Sequence, residues 1–314
     1  MMYSYPKIAY NSVSWDAKYK KEKKWVVTEK VHGANFSVIY DVNQTSIKYA
    51  KRTGILQDND SFFGYMSIVP ALLPQIELIK HLISSKYTSI NTFIVYGELF
   101  GGIYPDVQPN TDPAIKQVQN GIFYSPNLHF YAFDICIIDS IENRMHYIPY
   151  NISAFMFKTV GMMHAEPLQI YSSYESAIEH ALGFNSTIPA KLNMPEILII
   201  NKAEGIVVRN WSGINRYIVK IKIPEFSESI YSKNKYISNT ADITDYNYKN
   251  KATNCITLNR LNAAISKIGN FKDNKDEIHA LFVYDILDEI GALHMYKITE
   301  WVDIQVQLFM QNMV

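Results

Sequence analysis

The 314-residue sequence predicts an α+β protein, in which a domain of antiparallel sheets with flanking helices precedes a small all-α domain. Up to about residue 230, apolar residues alternate with polar ones or form short β-branched runs, which is typical of strands. Beyond about residue 250 the apolar period becomes helical, as in the stripe Leu258, Leu261, Ile265 and Ile268. We therefore expect domains at 1–230 and 251–314, joined by a polar linker at 231–250.

Composition narrows the class of protein. Hydrophobic residues make up 48% and charged residues 19% of the chain, which is typical of a globular protein. The formal net charge is zero, so any nucleic-acid surface must be local and balanced elsewhere. The two cysteines make no disulfide framework, and Cys136 lies in an apolar run that predicts burial. Without a signal peptide or an apolar run of membrane length, we expect a soluble, cytoplasmic protein, and we expect it to be a monomer.

The strands are expected at 25–29, 36–40, 46–52, 93–100, 130–138, 204–209 and 217–223. The first two would form a hairpin interrupted by Gly33. Helices are expected at 74–86, with Pro74 in the first turn, at 153–160, and at 173–182 behind a capping Ser172. The segment 103–126, rich in Pro, Asn and Asp, predicts an irregular excursion. In the tail, helices are expected at 258–268, at 276–290 and from there to the C-terminus.

Lys30 stands at the end of the first predicted strand, three residues before Gly33. A glycine there lets another molecule approach the backbone closely. Once deprotonated, a partly shielded lysine is a nucleophile. An ordinary solvated lysine in a hairpin is the alternative, and the single residue does not decide between them.

A basic run precedes this strand and consists of Lys18, Lys20, Lys21, Lys23 and Lys24. Such a run is usually a solvated loop or helix end, and its position just ahead of Lys30 leaves a binding role open.

Further charged residues occur within or beside apolar strands, where a charge is costly unless it is paired or used. They are Glu98, Asp134, Glu204, Lys220 and Lys222. Because Lys220 and Lys222 are two residues apart on a strand, both side chains point to one face. Two adjacent ammonium groups suit an anion such as phosphate, although a solvated lysine face of an amphipathic strand fits the same pattern.

Several stretches together form an ordered set: Glu29-Lys30-Val31-His32-Gly33-Ala34-Asn35, Ala50-Lys51-Arg52-Thr53-Gly54, Phe62-Phe63-Gly64-Tyr65, Gly97-Glu98, Phe130-Tyr131-Ala132-Phe133-Asp134-Ile135, Glu204-Gly205 and Lys220-Ile221-Lys222. This set resembles the covalent nucleotidyltransferases, the superfamily of RNA ligases, DNA ligases and mRNA-capping enzymes. The resemblance is closest to the nick-sealing RNA ligases of the T-even phage type and the kinetoplastid RNA-editing ligases. His32 stands where DNA ligases and capping enzymes usually have Asp.

The resemblance implies an ATP-grasp-like nucleotidyltransferase domain and an ATP-dependent ligase that joins RNA 3′-hydroxyl and 5′-phosphate ends through a lysyl-AMP. Lys30 would carry the AMP, assisted by His32, Asn35, Lys220 and Lys222. Contacts to ATP would come from Glu29, Lys30, Asn35, Arg52, Glu98, Phe133, Glu204, Lys220 and Lys222. Phe133 would stack on adenine, Glu98 would hold the ribose hydroxyls, and Glu204 would bind Mg²⁺ or Mn²⁺. Asp134 is expected to orient a lysine from behind the site.

The resemblance extends into the tail through Thr257-Leu258-Asn259-Arg260 and Asp285-Ile286-Leu287-Asp288-Glu289. It implies that Arg52, Arg260, Asp285 and Glu289 contact RNA, which we expect to be a nicked duplex. A salt-bridged helical face is the alternative for the tail residues, because Asp285 and Glu289 are one helical turn apart.

Two departures from the phage enzymes concern Thr28, which replaces a basic residue, and a longer excursion before the strand that carries Phe133. A DNA ligase, a capping-type nucleotidyltransferase and an inactive nucleic-acid-binding relative remain the rival functions. The Asn-, Ile-, Lys- and Tyr-rich composition would suit a virus- or phage-encoded protein.

Overall fold

The computed structural model describes residues 4–12, 14–141, 144–213, 215–227 and 241–312, with the backbone alone at 241–244 and 246. The chain divides into two compact units, Met1–Ile223 and Pro224–Val314. The first is strand-rich and the second is helical, so the α+β class and the order of its parts are as the sequence predicts.

The strands of the first unit form two antiparallel sheets. They are β1 (Trp25–Lys30), β2 (Ala34–Asp41), β3 (Ser46–Lys51), β4 (Gly54–Ile55), β5 (Ile90–Ile103), β6 (Ser125–Asp139), β7 (Met145–Tyr147), β8 (Pro167–Tyr171), β9 (Gly205–Asn210) and β10 (Ile218–Lys222). Within the described ranges, one sheet has the order β10-β9-β1-β8 and the other β4-β3-β2-β5-β6-β7. The pairing of β9 with β10 confirms the hairpin predicted across the turn before Tyr217.

The hairpin predicted from the first two strands is wrong. β1 pairs with β8 and β9, whereas β2 pairs with β3 and β5, so the chain changes sheets between Lys30 and Ala34. Gly33 lies at this crossing, where a Cβ atom would overlap the carbonyl oxygen of Leu99 on β5. The close approach of two backbones therefore explains the glycine, and Lys30 is placed facing the second sheet instead of a hairpin partner.

The helices of the first unit are α1 (Val69–Lys86), α2 (Tyr150–Thr159), α3 (Tyr174–Ile178) and α4 (Ile188–Lys191). α1 begins five residues earlier than predicted, because Pro70 and not Pro74 occupies the first turn. Pro74 lies inside the helix on its exposed side, where the carbonyl it leaves without a donor can bind water. α3 is shorter than predicted, and its cap is Ser173 instead of Ser172, since the Ser173 hydroxyl accepts from the Ser176 amide at 3.2 Å.

The outer face of the four-stranded sheet is covered by aromatic side chains. Trp25 of β1 is fully buried and packs with Tyr174 of α3 and Tyr217. Trp15 and Tyr19, from the segment before β1, complete this cluster. Cys136 is buried in a separate apolar cluster with Tyr96, as its apolar surroundings predict.

The second unit contains α5 (Ala241–Cys255), α6 (Leu258–Ile268), α7 (Lys275–Ile290) and α8 (Tyr296–Gln311). Thr257 caps α6 and Gly269, at φ 137°, ends it, while the predicted stripe supplies part of the apolar core. The predicted linker at 231–250 is wrong in its second half, because residues 241–250 belong to α5. Within this helix, Ala252 and Cys255 are buried in the apolar core of the second unit and Tyr248 packs against that core. Residues 231–240 lie outside the described part of the chain.

In the ranges that the structure describes, no helix combines the length and the apolar character needed to cross a bilayer.

Replacement of Gly33 by Ala is expected to destabilise the protein by roughly 1–3 kcal/mol, because the added methyl group must displace the β5 backbone. Urea unfolding of the variant against wild type measures this. Gly54→Ala is the matched control, since no atom lies within 4 Å of its added Cβ. Equal unfolding free energies for the two variants would contradict the close approach of the two backbones.

Candidate active site

Lys30 belongs to a row of residues that crosses the four-stranded sheet. Lys30 of β1 lies opposite Gly205 of β9, and Gly205 lies opposite Lys222 of β10. Directly opposed residues in antiparallel strands project from the same face, and so does Lys220, two residues before Lys222. The register therefore places three lysines on the face that is turned away from the aromatic cluster.

Glu204, immediately before β9, is the carboxylate that Lys30 and Lys222 both contact. The Lys30 ammonium donates to Glu204 Oε2 at 2.6 Å, and the Lys222 ammonium lies 2.9 Å from Oε1. Burial alone would raise the pKa of Glu204, but the charges of Lys30, His32 and Lys222 outweigh it and hold that pKa well below its usual range. The carboxylate thus stays ionised although its side chain is only 1% exposed.

His32 reaches the same carboxylate from the crossing between the sheets. Its Nδ1 lies 3.4 Å from Glu204 Oε2, and its backbone N–H donates to the Tyr124 hydroxyl at 2.9 Å. Tyr124 comes from the end of the excursion predicted as irregular, and it is fully buried. The sequence contained no signal for this role, because a tyrosine in an irregular segment is indistinguishable from a packing residue.

Glu98 and Asn35 lie opposite each other on β5 and β2. Burial raises the pKa of Glu98 to about 7; the nearby charge of Lys30 opposes that rise and that of Glu204 adds to it. The Gly33 amide and Arg52 also stabilise the ionised carboxylate. Glu98 is therefore poised to change its charge near neutral pH, beside the row that holds Lys30.

The Glu29 side chain points to the sheet face opposite that of Lys30, because adjacent residues of a strand point to opposite faces. Its buried carboxylate accepts hydrogen bonds from the Ser186 hydroxyl at 2.6 Å and from the Thr187 amide and hydroxyl at 2.8 and 2.7 Å. These contacts fasten the residues before α4 to β1. The expected contact of Glu29 with ATP stays a prediction.

Three other expected site residues contact the N-terminal segment. The Arg52 guanidinium donates to the carbonyl of Tyr5 at 2.5 Å, and the Phe133 ring meets the Tyr5 ring edge-on at 4.9 Å. The Lys220 ammonium lies 4.6 Å from the centre of the Tyr10 ring. The side chains of Arg52, Phe133 and Lys220 are thus held by neighbours that sequence reasoning did not identify.

The expectation that Asp134 orients a lysine is wrong. Its buried carboxylate binds Arg209 at 2.7 Å and Arg216 at 2.8 Å, and accepts from the Tyr5 hydroxyl at 2.5 Å. Burial would raise the pKa of Asp134, but the two guanidinium groups lower it on balance. Since Asp134 belongs to β6 and Arg209 to β9, this pair links the two sheets; the arginines had no distinguishing pattern in the sequence.

The three tail residues that are expected to bind RNA lie in the second unit. Arg260, with a side chain only 5% exposed, donates to the carbonyl of Asp285 at 2.9 Å and lies 4.0 Å from Glu289. The Asp285 carboxylate pairs with Lys267. The three expected RNA-binding residues of the tail are therefore adjacent, on a salt-bridged face of α6 and α7, and their role toward RNA stays a prediction.

The clustered lysines and carboxylates lie within a segment that matches a known protein family. The family model described as RNA ligase matches residues 23–222, which include Lys30, Glu98, Glu204 and Lys222. The chain belongs to the RNA ligase family.

Among curated relatives, this RNA ligase family member is similar to two mitochondrial RNA-editing ligases of Trypanosoma brucei brucei. It is 35% identical to RNA-editing ligase 2 over 207 residues, which cover 60% of this chain and 49% of that protein. For RNA-editing ligase 1, the identity is 32% over 211 residues, or 60% and 45% of the two chains. The chain thus matches about half the length of these relatives.

Solved structures similar to this chain include variants of an RNA ligase from Naegleria gruberi. One, with ATP and Mn, is 16% identical at a TM-score of 0.48 and covers 71% of this chain and 57% of its own. Another, with AMP and Mn, has the same identity, a TM-score of 0.47, and covers 71% and 56%.

The stability of the protein should depend on the ionisation of Glu98. Its pKa is about 7 in the folded protein against an ordinary value of 4.5, so the folded state binds the proton more tightly than the unfolded chain. The resulting stabilisation is complete below about pH 4.5 and is lost as the pH rises through about 7.

In the Glu98→Gln variant, the unfolding free energy should therefore lack this pH-dependent component, which amounts to roughly 2–3 kcal/mol in wild type. Urea unfolding of both proteins between about pH 5 and pH 8 measures it. A wild-type profile parallel to that of the variant would show that Glu98 has an ordinary pKa.

Proposed function

We propose that this member of the RNA ligase family is an ATP-dependent RNA ligase that joins 3′-hydroxyl and 5′-phosphate ends. The observation that carries the proposal is the convergence of Lys30, His32 and Lys222 on the buried Glu204 carboxylate. A cluster of this kind is costly to bury, and it supplies a nucleophilic amine together with cations for phosphate oxygens.

In the first step, the Lys30 amine attacks the α-phosphorus of ATP. A phosphorus–nitrogen bond forms and the attacking nitrogen releases one proton to water. The bond from the α-phosphorus to the oxygen that bridges it to the β-phosphate breaks, and pyrophosphate leaves with that electron pair. AMP then passes from Lys30 to the 5′-phosphate of RNA, and a 3′-hydroxyl finally displaces AMP to close the phosphodiester.

The ion pair between Lys30 and Glu204 affects the first step of the reaction. The Lys30 ammonium donates to the ionised Glu204 carboxylate at 2.6 Å. Attack on phosphorus requires the Lys30 nitrogen to turn from this carboxylate toward the nucleotide. Lys222, which also binds Glu204, would remain beside the phosphates as a cation.

The remaining residues of the proposed site bind and orient the nucleotide. Phe133 would stack on adenine, Glu98 would accept from ribose hydroxyls, and Lys220 with Lys222 would bind phosphate oxygens. Arg52 offers a guanidinium for bidentate phosphate binding. Glu29, His32 and Asn35 would complete the contacts.

The site fits a divalent cation that is held jointly by one protein carboxylate and the phosphates of the substrate. No group of three His, Cys, Asp or Glu side chains able to hold a metal occurs among the described residues. Mg²⁺ is commonly bound by one or two carboxylates together with substrate phosphates, and Glu204 is such a carboxylate. Bound there, Mg²⁺ or Mn²⁺ would supply positive charge to the phosphate oxygens.

The preferred substrate is proposed to be nicked duplex RNA, with the helical unit contacting it through Arg260, Asp285 and Glu289. We also propose that the protein is a monomer, that it acts in the cytoplasm, and that a virus or phage encodes it.

Incubation with α-labelled ATP and Mg²⁺ should label the protein covalently, and Lys30→Ala should abolish the label because it removes the attacking amine. Lys48→Ala, an exposed lysine on β3, is the control and should label as wild type does. Persistence of the label in Lys30→Ala would refute the assignment of the nucleophile. A label from GTP would favour a capping-type enzyme, and efficient sealing of nicked DNA would favour a DNA ligase.

For the helical unit, Arg260→Ala should leave the rate of self-adenylylation within about twofold of wild type while slowing the sealing of nicked RNA at least roughly tenfold, the scale expected when one charge-assisted hydrogen bond is removed. Lys275→Ala, at the exposed start of α7, is the control. Because Arg260 is buried, circular dichroism must show that the helices persist. Loss of adenylylation in folded Arg260→Ala would contradict this division of roles.

A further inference from the structure

The basic run ahead of β1 has no part in the proposed chemistry at Lys30. It consists of Lys18, Lys20, Lys21, Lys23 and Lys24, and we refer to residues 16–24 as the lysine platform. All five lysines are exposed, and Lys18 reaches 71% exposure. Residues Ala17–Lys21 form a 3₁₀ helix, so three of these lysines project from one short turn.

The platform is anchored to the core and is not a loose loop. Asp16 caps the turn by accepting from the Lys18 amide at 3.1 Å, and it also accepts from the Tyr217 hydroxyl at 2.6 Å. Tyr19 packs its ring 5.5 Å from Trp15 and 5.4 Å from Tyr174. The aromatic side chains of the segment thus face inward and fix the turn, while the lysines face solvent.

The positive charge of the platform is incompletely neutralised. Its own acids are Asp16 and Glu22, against five lysines. Within the ranges described, Lys18 is the one platform lysine with a carboxylate in ion-pair distance, and that contact is long, at 3.9 Å. A local excess of this kind, on a chain with zero net charge, is a site for a polyanion.

The platform lies at a defined distance from the nucleophile. Lys24 immediately precedes β1 and Lys30 ends it, so the 6 residues of the strand span the distance between them. At about 3.3 Å per residue, the six steps from Lys24 to Lys30 place these two residues about 20 Å apart.

We propose that the lysine platform binds the phosphate backbone of duplex RNA at the N-terminal end of β1, where Lys24 is about 20 Å along the strand from Lys30. Compact ammonium groups suit sequence-independent contacts with phosphates. An anionic membrane fits less well, because Tyr19, the one aromatic residue of the platform, packs against the aromatic cluster and does not offer its ring to a bilayer. The position of the nick relative to the platform rests on the proposed ligase function, but binding of duplex by the platform does not.

The test compares two triple variants with the same change in net charge. One carries Lys20→Gln, Lys21→Gln and Lys23→Gln, which spares Lys18 and its cap and also Lys24, whose ammonium lies over Trp211. The control carries Lys48→Gln, Lys86→Gln and Lys158→Gln, three exposed lysines elsewhere in the first unit. Fluorescence anisotropy with a labelled, centrally nicked RNA duplex gives the dissociation constant of each variant over a range of salt concentrations.

The platform variant should bind the duplex at least roughly tenfold more weakly at about 0.1 M salt, and the slope of log K against log salt should become shallower by up to about 2.7, or about 0.9 for each phosphate that is no longer neutralised. The control variant should stay close to wild type. Equal affinities and slopes for the two variants would overturn the proposal. So would a platform effect seen with anionic lipid vesicles and absent with RNA.

A measurement of self-adenylylation distinguishes failure of the platform proposal from failure of the proposed ligase function. Both triple variants should label with α-labelled ATP as wild type does, since neither removes a residue of the site. If wild type itself failed to label, the ligase proposal would fall while the binding comparison still decided the role of the platform.

Duplex length tests the 20 Å placement. Shortening the arm of the nicked duplex that lies toward the platform, until it ends less than about 20 Å from the nick, should remove most of the affinity that the platform supplies to wild type. The same shortening should weaken the platform variant less, because that variant retains only Lys18 and Lys24 of the five platform lysines. Equal sensitivity of wild type and variant to the length of each arm would overturn the placement.

Discussion

The first unit depends on compensation of a buried negative charge at Glu204. A carboxylate removed from water is stable only when cations and hydrogen bonds replace its hydration. Lys30, His32 and Lys222 do so, and they arrive from β1, the crossing after β1, and β10. Because each contributor comes from a different stretch of chain, the compensation requires β1, β9 and β10 to hold the observed register.

A second buried carboxylate, between the two sheets, is also compensated by cations. Asp134 of β6 is buried against Arg209 of β9 and Arg216, with the Tyr5 hydroxyl as a further donor. Removing one partner of such a set leaves an uncompensated charge, so the two sheets are held to one relative placement. The proposed nucleotide site lies on the sheet face that also carries Arg209, and this link therefore supports its geometry without taking part in chemistry.

The proposed ligase function places different demands on the two ends of β1. At its C-terminal end, Lys30 is paired with the buried Glu204 carboxylate, which Lys222 and His32 also approach. At its N-terminal end, the lysine platform leaves positive charge exposed to solvent, which suits long-range attraction of a polyanion. One rigid strand thus sets the spacing between a reacting centre and a proposed binding surface.

The sequence by itself determined the class of fold, most strands and the helical tail, because strand and helix periods are local signals. Lys30, Glu98, Glu204 and Lys222 became candidates through the resemblance of an ordered set of motifs, since a charged residue in an apolar strand does not by itself show a role. The sequence did not determine that β1 and β2 belong to different sheets, since a hairpin and a crossing have the same local pattern at Gly33. Nor did it reveal that Tyr5, Tyr124, Arg209 and Arg216 hold the site in place. Those contacts join residues far apart in the chain, and only tertiary packing brings the pairs together. The opposite directions of Glu29 and Lys30 follow from strand alternation, but which face meets the second sheet is decided by the burial of Trp25 and Val27 in the aromatic cluster.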